Sequence, residues 1–99
     1  MARSTGHGEI WIADLDKRRP AVVISRNDVR GVRQRTTVAP VTSTIRGIPS
    51  EVALAAADGI REPSAVNCDE LVTIPKSLLV RQIGKLTGEK LDALHRALA

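Results

Sequence analysis

Aromatic residues are nearly absent from this chain: it has one tryptophan and neither phenylalanine nor tyrosine. That excludes an RRM- or OB-type aromatic platform on which bases stack. It also leaves the core to valine, isoleucine, leucine and alanine. Cysteine is as scarce. A lone Cys68 excludes an internal disulfide and a multi-cysteine metal site, and it fits a reducing cytoplasm. No apolar run approaches the roughly 20 residues of a membrane span, so no membrane role is expected. The opening MARSTGHGE lacks an apolar signal-peptide region, and residues 1–7 read as a short flexible lead. There is no Gly-rich phosphate loop and no nucleophile elbow. His7 and His95 have no Cys, His or acid at ligand spacing, so neither a metal nor a cofactor is expected.

What remains is aliphatic and basic. The 99 residues fit one domain, spanning 8–99, and 42% apolar content is enough for one core. A net charge of +4 favours a polyanionic or acidic partner. Without aromatic platforms, contact with RNA would rest on charge, hydrogen bonds and groove shape.

Short strand signals separated by turn chemistry predict a small barrel. EIWIADL (9–15) alternates, and AVVIS (21–25) is a β-branched run read as a strand buried on both faces, with Pro20 just before it. Residues 26–35 are polar and basic and read as a mobile hairpin loop. TTVAPVT (36–42) is a third strand, an edge or bulged at Pro40. EVALA (51–55), SAVNCDE (64–70), LVTI (71–74) and RQIGKL (81–86) supply further strands, with one helical turn at 75–80. Residues 87–99 form the one clear helix. Thr87 is its N-cap, Leu86 and Leu91 form a hydrophobic staple, and Leu91, Leu94 and Leu98 form an apolar stripe. The stripe packs either on the sheet or on a second copy of the chain. The expected class is α+β, mainly β: a small SH3-like barrel with a C-terminal helix.

Three short stretches could carry chemistry. Arg19 precedes a proline, which favours extended backbone and fixes the direction of a guanidinium suited to bidentate phosphate contact. A solvated charged turn is the plainer reading of Lys17, Arg18 and Arg19. Thr42, Ser43 and Thr44 follow a proline-bent strand, where hydroxyls can donate to an oxyanion or simply cap a turn. Asn67 and Asp69 share one strand face if Val66 and Cys68 point inward. An amide beside a carboxylate can read base edges or accept a proton. Cys68 itself reads as a small core residue.

The ordered series GEIWIADL, RRPAVVIS, VAPVTSTIRGIPSEV, SAVNCDELVTI and IGKLTGEKLDALHRAL resembles the MazF/PemK (Kid) toxins of type II toxin–antitoxin modules, over residues 8–98. The resemblance implies a metal-independent, sequence-specific endoribonuclease acting as a homodimer. It implies that Arg19 and Thr42 are catalytic, and that Ser43, Asn67 and Asp69 contact single-stranded RNA. The nucleophile would be the RNA's own 2′-hydroxyl, giving a 2′,3′-cyclic phosphate and a 5′-hydroxyl. A MazE-like antitoxin with an acidic, disordered tail would block the basic groove. The helix stripe and the barrel's short edges could supply the homodimer contact.

Two departures stand out. DLDKRRP compresses a loop that many members have longer, and Asn67 stands where some carry a catalytic arginine. Arginine is a poor base at neutral pH. Either Asp69 accepts the 2′-hydroxyl proton, or Arg19 acts mainly as an acid or electrostatic clamp. Two other readings remain open on the same fold. One is a gyrase-type toxin similar to CcdB, although its C-terminal Trp-Gly-Ile is missing. The other is an RNA-binding barrel without catalysis.

Overall fold

The alternating and β-branched runs form strands, and turn residues break them. The computed structural model describes residues 2–99. The strands are β1 (Glu9–Asp14), β2 (Arg18–Val23), β3 (Arg35–Thr42), β4 (Glu51–Leu54), β5 (Ser64–Asn67), β6 (Val72–Pro75) and β7 (Leu79–Lys85), and helix α1 (Gly88–Leu98) follows. All the pairings are antiparallel, in the order β4-β5-β3-β2-β1-β7, with β6 beside β3. The expected architecture, a curled small barrel with a C-terminal helix, is what the chain adopts.

Strand β3 organises the sheet. One of its edges pairs β2 through Val38, Ala39 and Pro40. The other pairs β6 from Arg35 to Val38, then β5 at Val41 and Thr42. Pro40 falls where the partner changes. Its missing N–H therefore costs no rung, which is how a proline persists inside a strand.

Strand β2 starts at Arg18, so Pro20 lies inside it rather than ahead of it. Ladder groups alternate between a strand's two neighbours. The Ile24 N–H donates to Thr37 O in the β3 direction, so Val22 and Pro20 face β3 as well. Val22 pairs with Ala39, and the next rung would join Pro20 to Val41. Pro20 has no N–H to make it. Pairing stops, and β2 and β3 part.

The sheet buries both faces. Ile10, Val22, Ala39, Val41, Val66 and Leu94 belong to one cluster, Trp11, Ala13, Ala21, Val23, Val38 and Leu79 to the other. The successive buried residues Ala21, Val22 and Val23 thus point to alternate sides, as the unbroken apolar run predicts. Leu94 is fully buried, and Leu91 and Leu98 pack on the same cluster. The helix stripe therefore covers its own sheet, and it is not left free for a second copy. Between the ends of the sheet the seam is backbone against backbone. A Cβ on Gly84 would stand 2.6 Å from Asp58 O, and one on Gly59, where φ is +84°, would stand 2.5 Å from Ile83 O. Only glycine permits that approach.

Two expectations of mobility meet fixed contacts instead. Met1 of the expected lead lies outside the described residues; within residues 2–7, Thr5 exchanges backbone hydrogen bonds with Asp28, and the Arg3 guanidinium lies 5.5 Å from the Trp11 ring centroid. The segment 26–34 is organised by one buried carboxylate. Asp28 accepts from the N–H groups of Val32 (3.0 Å) and Arg33 (2.9 Å) and pairs with the buried ammonium of Lys76, which also donates to Arg3 O at 3.0 Å. An unpaired buried lysine would be prohibitive, so lead, loop and the turn after β6 lock together. The Lys76 bond, then the Arg33 N–H, hold the Asp28 carboxyl down at about 2. No helix among the described residues is long and apolar enough to cross a membrane.

Candidate active site

Parting β2 from β3 exposes side chains from both faces of the sheet. Arg19 lies on the face of Ala21, Thr42 on the face of Pro40, and the Ala21–Pro40 pairing makes these one face. Continuing the β3–β5 register places Asn67 opposite Pro40. The strands thus converge Arg19, Thr42 and Asn67 on one cavity of about 220 Å³, which Thr44, Arg46 and Glu70 also line. Val41 and Ser43 lie on the other face. They line a groove of about 1140 Å³ that runs past Arg18 and Pro20 to Arg61 and Arg81. Arg19 and Thr42 border both spaces.

The Arg19 side chain is 21% exposed, and its Nη2 donates to Asp16 at 3.0 Å. Its Nε–H is buried and has no partner. The part of the guanidinium that a ligand can reach is the exposed remainder, which borders both the groove and the small cavity. The short β1–β2 turn thus does more than join strands: Asp16 braces the guanidinium.

Thr42 is half-buried at the end of β3. Its Oγ1 accepts the Thr44 N–H at 3.1 Å, so the hydroxyl does cap a turn. Its own proton stays free to donate. Asn67 is buried, and its Oδ1 accepts the Asp69 N–H at 3.0 Å, which leaves its NH₂ as a donor. Arg46 is held by Glu51, which accepts from the backbone N–H of Arg46 (3.0 Å) and Gly47 (2.9 Å). Burial tends to raise the Glu51 carboxyl, but the Gly47 and Arg46 donors outweigh it and hold it below the ordinary value.

Asp69 is not brought into this group. β5 ends at Asn67, and residues 68–70 turn, so strand alternation no longer governs Asp69. Its carboxylate accepts the Ser50 hydroxyl at 2.7 Å instead. The turn delivers Glu70 to the cavity in its place. Thr44 belongs to the hydroxyl run singled out in the sequence, whereas Glu70, Arg46, Arg61 and Arg81 were missed there, where nothing separates them from ordinary loop or surface residues. Cys68 is buried in the core, and burial followed by the Asp69 charge pushes its thiol up, so it stays a packed, protonated side chain.

His7 and His95 do meet, despite a separation of 88 positions along the chain. Their Nε2 atoms are 2.9 Å apart and their rings stack at 5.1 Å. His7 Nδ1 lies 2.7 Å from Ile24 O, which makes it the donor there. Among the described residues no group of three or more His, Cys, Asp or Glu side chains could hold a metal ion.

Comparison with known proteins points one way. The model of the PemK-like, MazF-like toxins of type II toxin–antitoxin systems matches residues 7–99. An endoribonuclease of Mycobacterium tuberculosis, MazF3, is 45% identical over 89 residues, covering 90% of this chain and 86% of its own length. The structure of the M. tuberculosis toxin MazF-mt6 superposes with a TM-score of 0.86 at 44% identity, covering 91% of each chain. A mycobacterial endoribonuclease in complex with its cognate antitoxin superposes at 0.84, with 25% identity, over 95% of this chain and 90% of that one.

Proposed function

The chain belongs to the PemK-like, MazF-like toxins of type II toxin–antitoxin systems and is an endoribonuclease, and on that premise we propose that it cuts single-stranded RNA at a short specific sequence, without a metal, through the RNA's own 2′-hydroxyl. The observation that carries this reading is the convergence of the Arg19 guanidinium and the Thr42 hydroxyl in the gap between β2 and β3, where both border the groove and the small cavity. A scissile phosphate there receives the Arg19 guanidinium on its non-bridging oxygens, with the Thr42 O–H as a second donor. Asp16 keeps the guanidinium in place. Negative charge on those oxygens grows as O2′ attacks, so fixed donors stabilise the transition state more than the ground state. The products are a 2′,3′-cyclic phosphate and a 5′-hydroxyl.

Asn67 offers its NH₂ to the substrate in the small cavity, and Ser43 offers its hydroxyl in the groove. The groove walls carry Lys17, Arg18, Arg61 and Arg81 against a single acid, Glu62. That charge suits a polyanion and equally suits an acidic antitoxin segment laid along the same path. The toxin works as a homodimer in the cytoplasm, and its partner surface lies away from the buried helix stripe.

The test is incubation of the purified protein with a long mixed-sequence RNA in EDTA, followed by mapping of the product ends. Discrete cuts with cyclic-phosphate and 5′-hydroxyl ends are expected, and Arg19→Ala should abolish them. Intact RNA, or activity that survives Arg19→Ala, would overturn the assignment. An RNA carrying 2′-deoxy nucleotides at the cut site should not be cleaved, because it lacks the nucleophile.

A further inference from the structure

The proton on the attacking 2′-hydroxyl needs an acceptor, and arginine cannot supply one near neutral pH. Four carboxylates share a cavity wall with Arg19: Asp14, Asp16, Glu62 and Glu70. Asp14 accepts from Arg18 Nε at 2.8 Å and Asp16 from Arg19 Nη2 at 3.0 Å, so both are engaged, and Asp69 is held away by the Ser50 hydroxyl at 2.7 Å. Glu62 borders the wide groove and not the small cavity where Arg19, Thr42 and Asn67 meet. The remaining one is Glu70. The structure gives its side chain no hydrogen bond among the described residues. It lines the small cavity shared by Arg19, Thr42 and Asn67. It also lines the adjoining cavity of about 420 Å³, which reaches Arg19 from the other side. Glu70 is the one carboxylate in the small cavity, across from two guanidinium groups and two threonine hydroxyls.

We propose that Glu70 is a catalytic residue of this toxin: its carboxylate takes the 2′-hydroxyl proton during RNA cleavage. The inference rests on the ribonuclease reading above and adds the missing acceptor to it. The Glu70 carboxylate removes the proton from O2′, and the freed electron pair forms the O2′–P bond. The P–O5′ bond breaks, and its electron pair leaves on O5′, which takes a proton from solvent water. Glu70 then releases its proton to solvent. Arg19 and Thr42 hold the non-bridging oxygens throughout, so the clamp comes from two strands and the base from the turn after β5. The acid also explains how the site works with Asn67 in place of an arginine. An amide can hold a substrate group but cannot exchange protons usefully at neutral pH, and the neighbouring turn brings in a group that can.

The charged groups facing Glu70 are Arg19 from β2, Arg46 from the loop after β3, and Asp14 and Asp16 from β1 and its turn, with Asp69 adjoining in the chain. The experiment measures single-turnover cleavage of an oligonucleotide carrying the site that the wild type cuts best, as a function of pH. Binding is followed separately with the same oligonucleotide made 2′-deoxy at the cut. Glu70→Gln should lower the rate by about 10²–10⁴-fold, the usual contribution of a general base, and leave binding of the 2′-deoxy analogue nearly unchanged. It should also remove the fall in rate on the acidic side of the profile. Glu70→Asp should keep that acidic limb, and so should Asp69→Asn, whatever either does to binding. Wild-type cleavage with an unaltered Glu70→Gln profile would overturn the proposal and leave the ribonuclease reading standing. So would loss of the acidic limb in Asp69→Asn alone. A wild type that leaves every RNA intact would overturn both.

Discussion

Arg19 is tuned by a neighbour three residues away. Asp16 occupies one Nη, and the buried Nε is left without a partner. Arg19→Lys keeps the charge but loses the planar fork, so it should fall with Arg19→Ala rather than with the wild type. Losing one oxyanion donor costs about 10²–10³ in rate, which is the loss expected in cleavage assays of Thr42→Val. Thr42→Ser keeps the hydroxyl and should retain most activity. Asp28 gives a different kind of test. Its carboxyl is lowered from 3.8 to about 2, chiefly by the bond to Lys76. A depressed carboxyl stabilises the fold above its unfolded value and loses that contribution as the pH falls through the folded one. Thermal melts should therefore show stability decaying between about pH 4 and pH 2, and Asp28→Asn should flatten that decay while lowering Tm at neutral pH. A proline and a strand end single out Arg19 and Thr42 in the sequence as candidates, and only the resemblance gives them a role there; what the structure adds is that they line the same cavities. Nothing in the sequence singles out Glu70, whose place in the cavity depends on a turn that breaks the alternation pairing Asn67 with Asp69.

At the scale of elements, the two prolines decide where β2 and β3 separate. Pro40 sits where β3 changes partner, and Pro20 removes the donor that would continue the β2–β3 ladder. Pro20→Ala restores that N–H. The rung to Val41 can then form and draw the strands together under Arg19 and Thr42. The variant should melt no lower than the wild type, yet lose roughly tenfold or more in kcat/KM, because small displacements at a reacting centre are costly. A variant with full activity would show that the proline's ring, not its missing donor, shapes the gap. The strands and the helix were readable from alternation, β-branching and the leucine spacing. Their pairing was not, because register depends on long-range partners that no local pattern encodes. The basic segment 26–34 misled for the same reason: its anchor, Lys76, is 48 residues from Asp28.

The whole molecule presents a groove with cations on two walls. Lys17, Arg18 and Arg19 come from the β1–β2 side, and Arg61 and Arg81 from the glycine seam opposite. Single-stranded binding driven by such charges weakens with salt, by about 0.7 in the logarithmic slope for each phosphate contact. Removing Arg61 and Arg81 together should flatten the slope by about 1.4 and weaken RNA binding without shifting the cleavage sites. Fluorescence anisotropy across a salt series measures the slope, and end-mapping checks the sites.

Strand β3 touches β2 on one side and both β5 and β6 on the other, while β1 waits for β7 near the end of the chain. The reacting groups are drawn from β2, β3 and the turn after β5, so they meet only when those separate stretches have paired. A chain whose sheet is only partly assembled is therefore harmless, and toxicity arrives with the folded protein.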